Sequence, residues 1–175
     1  MENCTRQLEL IIEKVKSLIR NSHVVLPNEG EVKFYHHKGF DNFLAVGAVF
    51  VSVIQHDYCK FIVAMLAGQM YPLHFHRIKD ESYFILSGDL IVTLEDETHT
   101  LTKGDILNVP RRFTHSFRTQ NGCVFEEIST AYLNNDSVYE DKEIGQSPGS
   151  FKTTVLPMSV LLDSKEKRGE NSDRN

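Results

Sequence analysis

Residues 68–88 read GQMYPLHFHRIKDESYFILSG, and the placing of His74, His76 and Glu81 between Gly68 and Gly88 decides the fold. Side chains alternate across a β-strand with a period of two, so His74 and His76 project from the same face. Two neutral imidazoles on one face, with the Glu81 carboxylate five residues later, make most of a first-row transition-metal shell. A fourth donor, His115, follows in the run PRRFTH of residues 110–115. A lone histidine is ordinarily a solvated strand residue. Four ligating groups at this spacing, each beside turn residues, point instead to one metal site. Gly68, Gly88 and Gly104 read as turn or bulge positions that need positive φ or close backbone approach.

Working outward, β-rich runs cover 32–35, 43–54, 61–67, 83–86, 90–94, 98–101, 113–118 and 123–130. Turn signals separate them at 87–89, 95–97, 103–105 and 121–122. Many short strands at regular spacing mean an all-β sandwich or barrel. Before them, Leu8, Ile11, Ile12, Val15, Leu18 and Ile19 recur at three- and four-residue steps, one face of an amphipathic helix laid over the β core. The expected organisation is a helical segment over 1–29, a β-barrel domain over 30–162 and a flexible polar tail over 163–175.

At 175 residues, the chain suits one domain that buries a core without staples. Its formal charge of −5 argues against nucleic acid as the main partner, because phosphate binding wants a basic surface. Cys4, Cys59 and Cys123 are odd in number and irregular in spacing, which reads as reduced thiols rather than a disulfide framework. The start shows no leader pattern and no apolar run is long enough for a bilayer, so a cytoplasmic protein without a membrane partner is expected. Exposed sheet edges in a barrel of this size predict a homodimer.

The spacing resembles the cupin superfamily. Gly68, five residues, His74-Phe75-His76, four residues, Glu81, six residues and Gly88 reproduce its first motif. The second motif is a Gly, five residues, Pro, any residue, Gly, two residues, His, three residues and Asn. Gly104, Pro110 and His115 match it, with Arg112 in place of the Gly and Thr119 in place of the Asn. The resemblance covers roughly the middle hundred residues and implies a double-sheet jelly roll, the cupin double-stranded β-helix.

Three histidines and one carboxylate leave positions open for water or substrate, which marks a catalytic site. With no thiolate in the shell, Mn, Fe, Ni, Co and Zn all remain open. His23, His36, His37, His56 and His99 lie near turns or at polar positions and are read as solvated. Arg111 and Arg112 read equally as a clamp for a phosphate or carboxylate and as a solvated loop pair. Glu126 and Glu127 are adjacent in a strand-like run, so one carboxylate should point inward, to shuttle protons or to pair with a cation.

A narrower resemblance bears on that choice. Glu127-Ile128-Ser129, followed by Tyr132, Asp136, Tyr139 and Glu140-Asp141, is similar to the segment after the last metal ligand in cupin sugar isomerases of the lyxose isomerase and mannose-6-phosphate isomerase types. The resemblance implies a divalent-metal-dependent aldose–ketose isomerase acting on a monosaccharide or sugar phosphate through a cis-enediol, with Glu127 as the catalytic base. The lyxose isomerase family also uses a lysine upstream of the first histidine. Here, Met65 and Gln69 occupy that stretch and Lys60 lies further off, leaving Lys60 and Lys79 as candidate assistants. Two other classes stay open: an Fe(II)-dependent cupin dioxygenase, and a non-catalytic sugar- or metabolite-binding cupin.

Overall fold

The computed structural model describes residues 2–131, 135–149 and 152–162; the tail expected over 163–175 lies outside the described residues. The helix extends further than its apolar face alone suggests, as α1 over Glu2–Asn21. Among the described residues, eleven strands follow: β1 (Glu31–Tyr35), β2 (Ala48–Gln55), β3 (Cys59–Met65), β4 (Met70–His76), β5 (Glu81–Leu94), β6 (Glu97–Thr102), β7 (Ile106–Val109), β8 (His115–Arg118), β9 (Cys123–Ser129), β10 (Ser137–Tyr139) and β11 (Thr153–Pro157). A short helix α2 (Lys142–Gln146), capped by the Asp141 carboxylate on the Glu143 N–H, separates the last two.

The strands form a curled antiparallel sheet in the order β10-β4-β8-β5-β9-β3-β2-β1-β11, with β6 and β7 also paired to β5. This is an all-β jelly roll with one main helix. β5 joins its two halves: residues 81–84 pair with β7, 81–88 with β9, 89–94 with β6 and 91–94 with β8.

The turn expected at 87–89 is therefore not a turn. β5 runs through it, with a register shift between Ile85 and Ser87 and Gly88 at φ +82°. A Cβ on Gly88 would stand 2.0 Å from the Gly122 carbonyl oxygen, so only glycine lets the strand bend where it passes from one sheet half to the other. The strand expected from 43 begins only at Ala48, because a 3-10 turn over Phe40–Asn42 leads into it.

Alternation splits the core in two. Ala48, Phe50, Phe61, Val63 and Met65 face the barrel interior with Tyr83, Ile85, Phe117 and Phe125. Val49, Val51, Ile62 and Ala64 face outward and meet Ile11, Val15 and Ile19 of α1. Burial on both faces explains why β2 and β3 read as unbroken apolar runs. Each of the three helix residues contributes about 1.5–3 kcal/mol by leaving water. Among the described residues, no helix is long and apolar enough to cross a membrane.

Candidate metal centre

The interior face of the barrel carries the chemistry. β4 supplies His74 and His76, the first residue of β5 is Glu81, the first residue of β8 is His115, and β9 supplies Glu127. His74 stands opposite His115 across the β4–β8 pair and opposite Tyr139 across the β4–β10 pair. All of these side chains are buried except Tyr139, which is partly so. Parity on β9 separates the two glutamates. Glu127 turns inward, whereas Glu126 turns out and pairs with Lys60 at 2.6 Å.

One ligand atom from each of His74, His76 and His115 lies within 4.8 Å of the others. Two of the rings are fixed from behind. His74 Nδ1–H donates to the Pro72 carbonyl at 2.8 Å and His115 Nδ1–H to the Phe113 carbonyl at 3.0 Å. Both therefore present bare Nε2 lone pairs, as metal-bound histidines do. His115 Nε2 is buried without a hydrogen-bond partner, with Glu81 Oε2 at 3.4 Å from it. Burial, followed by the neighbouring imidazoles, holds the His74 pKa well below its usual value, and burial likewise lowers that of His76 against the pull of Glu81. Neutral, pre-oriented imidazoles around an orphaned nitrogen fit a divalent cation of the borderline class.

Glu81 sits against the same spot, 3.1 Å from His76 Nε2, and accepts from the Tyr83 hydroxyl at 2.8 Å. Lys79 makes an ion pair with Glu81 and donates to Glu127 Oε1 at 3.3 Å. Burial opposes charge on Glu81, but Lys79 and His76 outweigh it and keep its pKa well below the carboxylate range. For Glu127 the balance is reversed: burial and the Glu81 charge, opposed by Lys79, push its pKa up to about 8. Two carboxylates in contact with one ammonium thus hold different protonation states near neutrality. Burial also works against the Lys79 ammonium, and the two carboxylates more than offset it, raising its pKa.

Asp136, which precedes β10, ties this group to the backbone. Its carboxylate accepts from the N–H groups of Arg77 and Ile78, both at 3.1 Å, and of Lys79 at 3.2 Å, and lies 3.7 Å from His76 Nδ1. The loop that carries Lys79 is thereby pinned between the last histidine of β4 and Glu81.

The four expected ligands and Glu127 thus lie together. Lys79 joins them and Lys60 does not, and the available signal was closeness in sequence: Lys79 stands two residues before Glu81, in the loop that leads into β5. Asp136 and His37 carried no such signal. Two expectations need correction. His36 and His37, read as solvated, are each only 5% exposed, because the turn after β1 folds them under β11 and against the tyrosines. Of the two readings of Arg111 and Arg112, the clamp is the one that falls: both are exposed, neither lines the cavity, and Arg111 pairs with Asp80 at 2.5 Å. Arg112, in the place of the family's Gly, adopts φ +71° and donates its N–H to the His76 carbonyl at 2.7 Å, so the left-handed turn survives without glycine.

Comparison with known proteins agrees with this architecture. The family model of the cupin domain matches residues 61–124. A 54-residue stretch is 39% identical to quercetin 2,3-dioxygenase of Bacillus subtilis, covering 31% of this chain and only 16% of that enzyme's length. Among solved structures, the L-ribose isomerase of Geodermatophilus obscurus superposes with a TM-score of 0.64 at 14% identity, covering 79% of this chain and 93% of that one. The Cellulomonas parahominis L-ribose isomerase with L-ribose gives 0.64 at 16% identity, over 81% and 94%. At such identities, the likeness is one of fold. The chain has the cupin fold, and its three-histidine cluster fits a metal site of the kind cupins carry.

Proposed function

We propose that this protein is a divalent-metal-dependent aldose–ketose isomerase acting on a monosaccharide through a cis-enediol. In this reading, His74, His76, Glu81 and His115 hold the ion and Glu127 moves the proton. The observation that carries it is the Glu127–Lys79 pair, which lines the same cavity as His74 and His76. That cavity, of about 630 Å³, has room for a monosaccharide.

A divalent ion held there would take the substrate's carbonyl and neighbouring hydroxyl oxygens and polarise the carbonyl. Glu127, with a pKa raised to about 8, is poised to take a proton from the carbon beside the carbonyl and return it to the next. Lys79 stays charged beside it and balances the carboxylate in the deprotonated half of the cycle. Phe50, Phe61 and Phe117 line the cavity walls and limit water around the transferred proton. The fold shared with the two L-ribose isomerases supports the reaction class and makes L-ribose the first substrate to try.

The short identity with a quercetin dioxygenase favours a second reading, an Fe(II) oxygenase using the same histidines. Metal analysis, then an aldose–ketose screen with and without chelator, beside an oxygen electrode, separates the two. Chelator-sensitive sugar interconversion without oxygen uptake supports the isomerase, and oxygen uptake with Fe(II) and no interconversion contradicts it. β6 and β11 are each paired on one side only among the described residues, and this reading includes a homodimer that covers such an edge. Light scattering giving a monomer at micromolar concentration would remove that part.

A further inference from the structure

Away from Glu81, Glu127 and Lys79, the cavity lining has almost no charge to offer. Among the described residues, its lining includes two cations, Lys79 and Lys152. Lys79 is taken up between Glu81 and Glu127. Lys152 donates to the Ile144 carbonyl at 2.9 Å and lies 5.5 Å from the centre of the Tyr139 ring. Residues 132–134 and 150–151, which adjoin the cavity in sequence, include no lysine or arginine. Arg111 is spent on Asp80 outside. A phosphate carries close to two negative charges and is ordinarily met by an arginine fork, several cations or a helix N-terminus. One capped ammonium does not meet that need.

What the lining around His37 offers is aromatic and hydroxylated. His37 stacks on Tyr35 at 5.7 Å and meets Tyr71 at 4.6 Å and Tyr139 at 5.0 Å. Tyr139 in turn stacks on His74 at 5.4 Å, so this wall begins where the histidine cluster ends. The His37 ring borders the cavity, and neither of its buried nitrogens has a hydrogen-bond partner. A buried polar group left unpaired costs about 1–3 kcal/mol, so its presence here calls for a partner that arrives with a ligand.

We propose that the cavity takes an uncharged polyhydroxylated ligand rather than a phosphorylated one, and that the wall of Tyr35, His37, Tyr71 and Tyr139 holds its non-reacting end. Aromatic faces meet the C–H groups of a polyol, while the phenols and the imidazole supply donors and acceptors to hydroxyls. The inference deepens the isomerase reading but is testable apart from it, because a sugar alcohol has no carbonyl and cannot turn over.

The test is calorimetric titration of the metal-loaded full chain with ribitol, arabitol and mannitol, beside a pentose 5-phosphate. At least one uncharged alcohol should bind more tightly than the phosphate. His37→Leu should weaken that binding by about tenfold while metal content holds and unfolding temperature holds or rises, since an apolar group of similar size replaces two unpaired polar atoms. A purely structural His37 would show the reverse, a lower unfolding temperature with binding unchanged. Lys152→Met should leave alcohol binding within about twofold, because its ammonium is already held by the Ile144 carbonyl and an uncharged ligand forms no ion pair with it. Should His37→Leu not fold, His37→Gln, which keeps a donor and an acceptor, must retain most of the binding. The proposal is overturned if no uncharged alcohol binds, if His37→Leu binds as the wild type does, or if the phosphate binds tenfold tighter and Lys152→Met abolishes that preference. Alcohol binding that depends on His37, without turnover of any aldose, would sink the isomerase and leave the ligand class standing.

Discussion

The floor of the cavity and its outer wall are built on opposite principles. On the floor, the Nδ1–H groups of His74 and His115 are anchored on carbonyls, Glu81 is held by Lys79 and Tyr83, and Asp136 clamps three consecutive N–H groups. At the wall, His37 is buried with neither nitrogen satisfied. Holding an ion needs ligands fixed before it arrives, whereas recognising a ligand needs groups left open for it. A floor residue should therefore fail by losing metal or chemistry, and a wall residue by losing affinity.

The largest effect is expected at the floor. His76→Ala should lose its equivalent of metal, and with it all activity; elemental analysis finding a full equivalent would show that the ion is held elsewhere. Glu127→Gln comes next. It is nearly isosteric and removes only the basic oxygen, so the fold and the metal should persist while kcat falls by roughly 10²–10⁴, with KM changing far less. Full activity in that variant would take Glu127 out of the mechanism.

Asp136→Ala should act through the loop rather than on the ion. It leaves three N–H groups without their acceptor and should lower stability by about 1–3 kcal/mol. Its kcat should drop with Lys79 displaced, and unchanged urea unfolding would mean the loop is held by other contacts.

At the wall, the effect appears only as pH falls. Burial, then Lys152 and His36, depress the His37 pKa from its ordinary 6.5 to about 3. Below 6.5 the unfolded chain takes up a proton that the folded ring refuses, so this contribution to stability is complete above that pH and is lost as pH falls toward 3. Urea midpoints measured between pH 7 and 4 should therefore fall less steeply for His37→Leu than for the wild type. Parallel curves would place the acid sensitivity on other groups.

The floor was legible in the sequence and the wall was not, for a physical reason. His74, His76 and Glu81 sit at period-two and turn-linked spacings within one segment, and strand geometry alone brings them together. Parity likewise required one of Glu126 and Glu127 to face inward, and it is Glu127. His37, Tyr71, Tyr139 and Lys152 come from four distant segments and meet only because β10 and β11 fold back over β4 and β1. No local pattern encodes that. The break misread at Gly88 has the same origin: the residue that would end a hairpin strand instead bends β5 between two sheet halves, and the partner forcing that choice, Gly122, is distant in sequence.

The most direct test of the central claim is an isomerisation run in deuterium oxide by the metal-loaded protein, beside Glu127→Gln, with the product carbons read by NMR. Proton transfer through an enediol by a carboxyl group that exchanges its proton with solvent between turnovers predicts solvent deuterium on the carbon next to the new carbonyl, and its loss together with turnover in the variant. Product formed at the full wild-type rate with its carbon-bound hydrogen wholly unexchanged, or equal turnover by Glu127→Gln, would contradict the account.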